Sequence, residues 1–310
     1  MLPESGRLFL TTHLGETMAV LTSFVWSWGS MLFTGAGRRV GSAAVNFARL
    51  PLAALCLGAT YLLTSGRVWP PSDAAHIGWL AVSGFIGLAL GDSFLFYAFA
   101  AIGPRRSMLA FSSAPVFTAL TAWWILGETL GPAAFLGMGM ILGGVVLAQS
   151  GTDAGGGPFR NLPPALLRRG YVAALLGGAC QGVGATLAKV GMETVPPLPA
   201  AFVRMVFGTI AMTIVVAWRG ELRSHTRRVL DGRTFALLCG AVVLGPFLGM
   251  WSSLAAFRYA DAGVAMALIG TVPVMVLLPS WVVYRDHPSR RSLLGAILAV
   301  AGGAVLFLRN

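Results

Sequence analysis

The chain has 310 residues, of which 56% are hydrophobic and only 11% are charged, and its mean hydropathy is +0.77. These values exclude an ordinary soluble domain, in which about a quarter of the residues are charged. The formal net charge is +11, but the arginines stand at the ends of apolar segments, which is typical of membrane proteins and argues against nucleic-acid binding.

The apolar segments are long enough to cross a membrane, because about 20 helical residues span a hydrocarbon core of about 30 Å. We predict ten transmembrane helices, called spans 1 to 10 in chain order, at residues 14–35, 44–64, 76–100, 106–127, 131–150, 170–190, 199–218, 235–257, 263–284 and 291–308. Residues 151–169 are rich in glycine and proline, and this composition predicts a linker between the halves. The predicted domains are therefore residues 1–150 with spans 1–5, the linker 151–169, and residues 170–310 with spans 6–10.

The second half of the chain repeats the first. At an offset of 158 positions Gly91 falls on Gly249, and nearer the start of each half an offset of 155 places Arg49 on Arg204. Five crossings bring the chain out on the opposite side, so the second half must run inverted. We predict an all-α integral membrane protein whose ten helices form two inverted five-helix repeats around a central cavity, as in many secondary transporters.

The distribution of arginine predicts the orientation in the membrane. Most arginines lie in loops that follow odd-numbered spans, and the positive-inside rule places these loops in the cytoplasm and both termini outside. The arginines concerned are Arg38, Arg39, Arg105, Arg106, Arg168, Arg169, Arg227, Arg228, Arg290 and Arg291.

Charged residues at membrane depth need an explanation, because each costs roughly 2.5–3.5 kcal/mol on insertion scales. Arg49 and Arg204 are equivalent, and each could hold an anionic group of a substrate or clamp a neighbouring helix end. Their symmetry favours a structural role, since one asymmetric solute rarely needs the same arginine twice. Glu128 and Asp286 form a second symmetric pair, and we predict that they too are structural, as favourable charges before a following helix.

Asp92 and Lys189 are not repeated, because their equivalents are Met250 and Thr34. Asymmetric polar groups are what a pathway needs to recognise an asymmetric solute or to carry a proton. We predict both as substrate-binding residues and Asp92 as the candidate proton carrier. The alternatives are a buried ion pair for Asp92 and a lysine that extends to the interface for Lys189.

Two prolines mark further candidates. Pro115 and Pro273 are equivalent, and a proline in a membrane helix frees a carbonyl one turn back and bends the axis. We predict both as hinges, with a simple packing kink as the alternative. Trp26 and Ser30 are four residues apart in span 1, so they lie on the same face of that helix. The full set of predicted substrate contacts is Trp26, Ser30, Asp92, Tyr97, Ser112, Ser113, Gln181, Lys189, Trp251 and Thr271.

Taken together, these motifs resemble the drug/metabolite transporter superfamily, in its ten-helix bacterial branch with two EamA domains. The residues that carry the resemblance are Trp28-Gly29, Arg49, Gly91-Asp92, Ser113-Ala114-Pro115 and Leu126-Gly127-Glu128, with weaker counterparts at Gly184, Arg204, Gly249, Val272-Pro273 and Arg285-Asp286. The resemblance implies an exporter of small metabolites, often amino acids, with a cavity formed chiefly by spans 1, 3, 4, 6, 8 and 9. It also implies cytoplasmic termini. This conflicts with the arginine distribution, and we favour the orientation that the arginines predict, with both termini outside.

The leading hypothesis is a carrier in the bacterial inner membrane that exports a small polar metabolite by alternating access. Its substrate would be an amino acid, with aromatic amino acids among those the resemblance implies, and a proton gradient is one driving force. The alternative is a flippase for a lipid-linked substrate, which the same superfamily also suggests. The expected partners are a small-molecule substrate and the lipid bilayer, and the sequence does not fix the oligomeric state.

An enzyme is the third class, and the sequence argues against it. All four histidines lie at span ends or in loops, and no catalytic constellation or nucleotide-binding loop stands out. The three cysteines are not spaced for a metal site. We therefore predict no enzymatic activity, no cofactor and no metal. The residues concerned are His13, His76, His225, His287, Cys56, Cys180 and Cys239.

Overall fold

A computed structural model describes residues 13–102, 107, 110–150, 162–275 and 289–307. The first repeat contains span 1 at Leu14–Val40, span 2 at Ser42–Ser65, span 3 in the three segments Ala74–Gly84, Phe85–Gly91 and Asp92–Ile102, span 4 at Ala114–Leu126 and span 5 at Pro132–Ser150. The second contains span 6 at Pro164–Gly191, span 7 at Pro197–Trp218, a connecting helix at Leu222–Val229, span 8 at Gly232–Val242, Val243–Gly249 and Met250–Tyr259, span 9 at Ala262–Ile269 and Val272–Met275, and span 10 at Arg290–Phe307.

Several of these helices have the length and composition of membrane spans. Five described helices qualify, at Ala44–Ser65, Ala74–Ala98, Pro164–Gly191, Pro197–Trp218 and Gly232–Tyr259, and three shorter apolar helices accompany them. Large apolar side chains stand on the outer faces, with Leu63 86%, Trp124 80% and Trp218 89% exposed. Such surfaces suit lipid and not water. The predicted all-α membrane fold is confirmed.

The contacts between helices follow an internal twofold relation. Span 1 packs against span 8 as span 6 packs against span 3, and span 4 packs against span 6 as span 9 packs against span 1. Spans 2 and 7 pack against each other, and so do spans 5 and 10. Each of these pairs therefore maps onto another of them, or onto itself, when the halves are exchanged, as the predicted two-repeat architecture requires.

Helix ends differ from the predicted positions where capping residues intervene. Span 3 begins at Ala74 because the Asp73 side chain accepts a hydrogen bond from the backbone N of His76, at 3.0 Å. Asp231 caps span 8 in the same way by accepting from the backbone N of Thr234, at 3.4 Å. Span 6 begins at Pro164, six residues before the predicted start, because a proline suits the first turn of a helix.

Spans 3 and 8 each contain a seven-residue π-helix, at Phe85–Gly91 and Val243–Gly249. The two segments are equivalent at the offset of 158, and glycines within them allow close helix crossings. A Cβ on Gly184 would lie 3.0 Å from Cα of Gly87, and a Cβ on Gly29 would lie 3.1 Å from the backbone N of Gly245. π-Helical turns are rare and are frequent at functional sites, and these two lie where the repeats meet.

Spans 5 and 10 cross at similarly close range. A Cβ on Gly144 would lie 2.6 Å from the backbone N of Ala299, and a Cβ on Gly295 would lie 2.3 Å from the backbone N of Ala148. Small residues let membrane helices approach in this way. The glycines of spans 5 and 10 thus pack against each other within one chain.

Candidate functional site

A buried ion pair lies between spans 2 and 3. Asp92 is the first residue after the π-helix of span 3 and is 5% exposed, and Arg49 from span 2 pairs with its carboxylate through Nη2. Gln181 of span 6 donates from Nε2 to Oδ1 of Asp92, at 3.1 Å. These three residues, the Asp92 cluster, join both repeats.

Arg49 has further partners besides Asp92. Its Nε donates to Oδ1 of Asn46, at 2.8 Å, and its guanidinium carbon lies 5.9 Å from the centroid of the Phe96 ring. A buried charge is tolerated when it is paired and hydrogen-bonded. In the Asp92 cluster the positive and negative charges therefore compensate each other.

The second repeat carries different residues at the equivalent positions. Arg204 matches Arg49, Met250 matches Asp92 and Trp26 matches Gln181, and we call these three residues the Arg204 cluster. Nη1 of Arg204 donates weakly to Sδ of Met250, at 3.6 Å. Trp26 packs on Gly249, where an added Cβ would lie 2.5 Å from the indole nitrogen. The geometry is repeated, but the carboxylate is not.

Arg204 is consequently a buried cation without an ion-pair partner among the described residues. It is 3% exposed, and its Nε has no hydrogen-bond partner in the part of the chain that the structure describes. Among the residues that the structure describes, no carboxylate lies within 4.0 Å of its guanidinium, although Asp92 attracts it at longer range. The two clusters meet at Gly87, where an added Cβ would lie 3.3 Å from Nη2 of Arg204 and 3.6 Å from Oε1 of Gln181.

Lys189 lies in a second polar contact between the repeats. Its Nζ is 2.6 Å from Oε1 of Glu128 and donates to the backbone O of Ala260, also at 2.6 Å. Oε2 of Glu128 accepts from the backbone N of Ala262, the first residue of span 9, at 2.8 Å. Glu128 thus places a favourable charge at the start of span 9 and not at that of span 5. We call Lys189, Glu128 and these backbone groups the Lys189 clamp.

Replacing Lys189 with methionine is expected to lower the free energy of unfolding by about 2 kcal/mol, because Glu128 would keep a partly buried charge without its partner. Glu128→Gln in the same chain is expected to recover most of that loss. Thermal unfolding in detergent of the two single variants and the double variant measures the coupling, with Lys189→Arg as the control that keeps the charge. Strictly additive effects would mean that the pair contributes nothing.

The two predicted hinges share one hydrogen-bond pattern. Oγ of Ser113 donates to the backbone O of Ala110, and Oγ1 of Thr271 donates to the backbone O of Leu268, both at 2.7 Å. These positions are equivalent, and in both spans a turn interrupts the helix just before the proline. Ser23 of span 1 donates to Leu268 as well, at 2.8 Å. Pro115 is buried in this turn region, and the hinge role of both prolines stays a prediction.

The comparison with known proteins fits the repeated architecture. The sequence matches the EamA-like transporter family twice, over residues 13–149 and 168–308. The chain belongs to the EamA-like transporter family. The predicted relation to the drug/metabolite transporter superfamily is thereby confirmed. Family membership makes this EamA-like protein a multi-pass membrane transporter with a small-molecule substrate, and it argues against an enzyme.

Two relatives extend the match over nearly the whole length of this EamA-like transporter. An uncharacterized protein of Pseudomonas aeruginosa is 28% identical over 309 residues, which cover 99% of this chain and 96% of the relative. A solved crystal structure of a protein superposes with a TM-score of 0.76 at 21% identity and covers 94% of each chain. The second similarity shows that the two proteins share a fold.

The structure of this EamA-like transporter brings together only part of the predicted substrate contacts. Asp92 and Gln181 form one cluster, and Trp26 lies in its counterpart, whereas Tyr97 is 49% and Trp251 37% exposed. The others lie elsewhere: Lys189 in its clamp, and Ser112, Ser113 and Thr271 in the turns of spans 4 and 9. The side chains of Ser30 and Pro273, and the whole of Asp286, lie outside the described residues.

Sequence reasoning missed four residues that shape the site. Asn46 and Phe96 hold Arg49, Met250 contacts Arg204, and Ser23 ties span 1 to the turn of span 9. The alignment of the two repeats could have identified Asn46 and Met250, because each differs in polarity from its equivalent, Ala201 and Asp92, respectively. For Phe96 and Ser23 the sequence carried no signal, since their roles depend on helix packing.

Proposed function

We propose that this EamA-like protein is a secondary transporter that exports a small polar metabolite across the bacterial inner membrane by alternating access. Amino acids, the aromatic ones included, are the proposed substrate class. The observation that carries the proposal is the Asp92 cluster: a charged, unsymmetrical group of side chains at the contact between two otherwise symmetric repeats.

The symmetric part of the protein supports the proposed alternation. Two repeats with interchangeable contacts have two equivalent ways to pack, one open to each side of the membrane. The interrupted helices of spans 4 and 9 lie next to span 6 and span 1, respectively. Changes of backbone angles at these turns would move one repeat against the other, as hinge motions do.

The unsymmetrical part supports recognition of one solute. Two polar groups, one from span 2 and one from span 6, converge on Asp92 of span 3, so a solute that enters between the repeats would disturb their pairing. Protonation of Asp92 would remove the charge that holds Arg49. Asp92 is therefore the proposed route by which a proton gradient drives export.

Counterflow in proteoliposomes tests this function. Vesicles preloaded with a mixture of unlabelled amino acids are expected to accumulate labelled tryptophan, phenylalanine or threonine above protein-free vesicles, and Asp92→Ala is expected to remove the signal. Gly139→Ala is a matched control, because a Cβ at Gly139 meets no atom within 4 Å. Failure of all three solutes, together with competition by amphiphiles, would instead favour a lipid-linked substrate.

A further inference from the structure

The guanidinium of Arg204 lacks hydrogen-bond acceptors that its equivalent, Arg49, has. On Arg49, the edge formed by Nε and Nη2 is filled, because Nε donates to Asn46 and Nη2 donates to Asp92. Both partners present an oxygen atom. In the first repeat, the protein itself thus supplies two oxygen acceptors to one edge of a buried arginine.

The second repeat lacks both acceptors. Ala201 stands where the first repeat has Asn46, and Met250 stands where it has Asp92. The thioether of Met250 contacts Nη1, while Nε on the other edge has no partner among the residues described. A buried cation with an unsatisfied donor is unfavourable, and at membrane depth such a residue is typically functional.

We propose that Arg204 is the anion site of this transporter and binds the carboxylate group of the transported solute through Nε and Nη2. Two parallel N–H donors on one edge of a guanidinium match the two oxygens of a carboxylate. Nη2 lies against Gly87, where an added Cβ would be only 3.3 Å away, so a side chain at this position would crowd that edge. This assignment rests on the proposed transport function and names the chemical group that the site selects.

The charges of the two clusters agree with an anionic ligand. Arg49 is compensated by Asp92, whereas no ion pair compensates Arg204 among the described residues. One negative charge on the solute would neutralise the positive charge of Arg204, which is the net charge of the two clusters together. Gln181 lies beside this position, and Trp26 packs on Gly249, the neighbour of Met250. We expect both to contact the rest of the solute, the indole through its apolar face and the amide through hydrogen bonds.

The repeat itself supplies the test. Introducing Met250→Asp together with Ala201→Asn reproduces the surroundings of Arg49 around Arg204, so the protein would occupy the anion site with its own side chains. We expect this double variant to unfold at a higher temperature than the parent and to lose counterflow by about tenfold or more, the effect of losing a charged hydrogen-bonded contact. The matched control is Met250→Asn with Ala201→Asn, which adds no charge and is expected to lose less.

Paired probes separate this inference from the transport proposal. Purified parent protein in detergent is heated with tryptophan, phenylalanine or threonine and with the primary amide of each, which lacks the carboxylate. We expect the acids, and not the amides, to raise the unfolding temperature of the parent, and the Met250→Asp, Ala201→Asn variant to lose this selectivity. Acid-specific stabilisation without counterflow would keep the anion site and reject the transport proposal. Equal stabilisation by acids and amides, or unchanged counterflow in the double variant, would overturn the anion site.

Discussion

Replacing Asp92 with asparagine is expected to abolish transport and to lower the free energy of unfolding by about 3 kcal/mol. The amide would keep the shape of the side chain but leave the Arg49 guanidinium, whose side chain is only 10% exposed, without its counter-ion. Gln181 would also lose a charged acceptor. Counterflow in proteoliposomes and thermal unfolding in detergent measure the two effects separately.

A double variant distinguishes the structural from the functional part of this loss. Arg49→Gln removes the second charge, so the Arg49→Gln, Asp92→Asn protein is expected to regain most of its stability, as replaced buried pairs often do. It is not expected to regain transport. If Asp92→Asn alone kept transport with an unchanged pH dependence, the Asp92 cluster would be structural and the proton route through it would be wrong.

Leucine in place of Gly144 or Gly295 is expected to prevent folding. The backbone of the opposite helix lies closer to each glycine than a side chain permits, so the helices would have to separate along their contact. Overpacking at one site costs about 3 kcal/mol or more when the backbone cannot yield. The yield of monodisperse protein after detergent extraction and its unfolding temperature measure the loss.

Span 5 offers its own control for this prediction. Gly139 lies in the same helix but on its exposed side, where an added Cβ meets nothing within 4 Å. Gly139→Leu is expected to fold like the parent, since lipid accommodates the extra side chain. Equal yields of Gly144→Leu and Gly139→Leu would contradict the close crossing of spans 5 and 10.

The sequence predicted the repeat architecture because apolar length and repeated glycine are properties of the chain itself. It could not predict the π-helices, since Phe85–Gly91 carries no proline, and Pro246 within Val243–Gly249 indicates a bend but not the π-helical hydrogen bonding. Nor could it pair Lys189 with Glu128, because that contact depends on how the end of span 4 packs against span 6. Lys189 at a helix end fits an interfacial residue equally well.

The two arginines show a different limit of sequence reasoning. Their equivalence favoured one structural role for both. The structure, however, gives Arg49 two oxygen partners, whereas Nε of Arg204 has none within the described ranges. The distinction was present in the alignment of Asn46 with Ala201. The sequence alone does not show the effect of this difference, because a residue three positions away bonds the guanidinium only once the helix places the two side chains side by side.

The twofold relation also divides the molecule into a frame and moving parts. If the repeats exchange conformations during transport, the contact of spans 1 and 8 takes the geometry of its counterpart, the contact of spans 6 and 3, and the reverse. The contacts of span 2 with span 7 and of span 5 with span 10 are their own counterparts, so they stay the same. A side chain added where spans 5 and 10 touch therefore penalises both conformations equally. One added between spans 1 and 8 penalises a single conformation and shifts the balance towards the other side of the membrane.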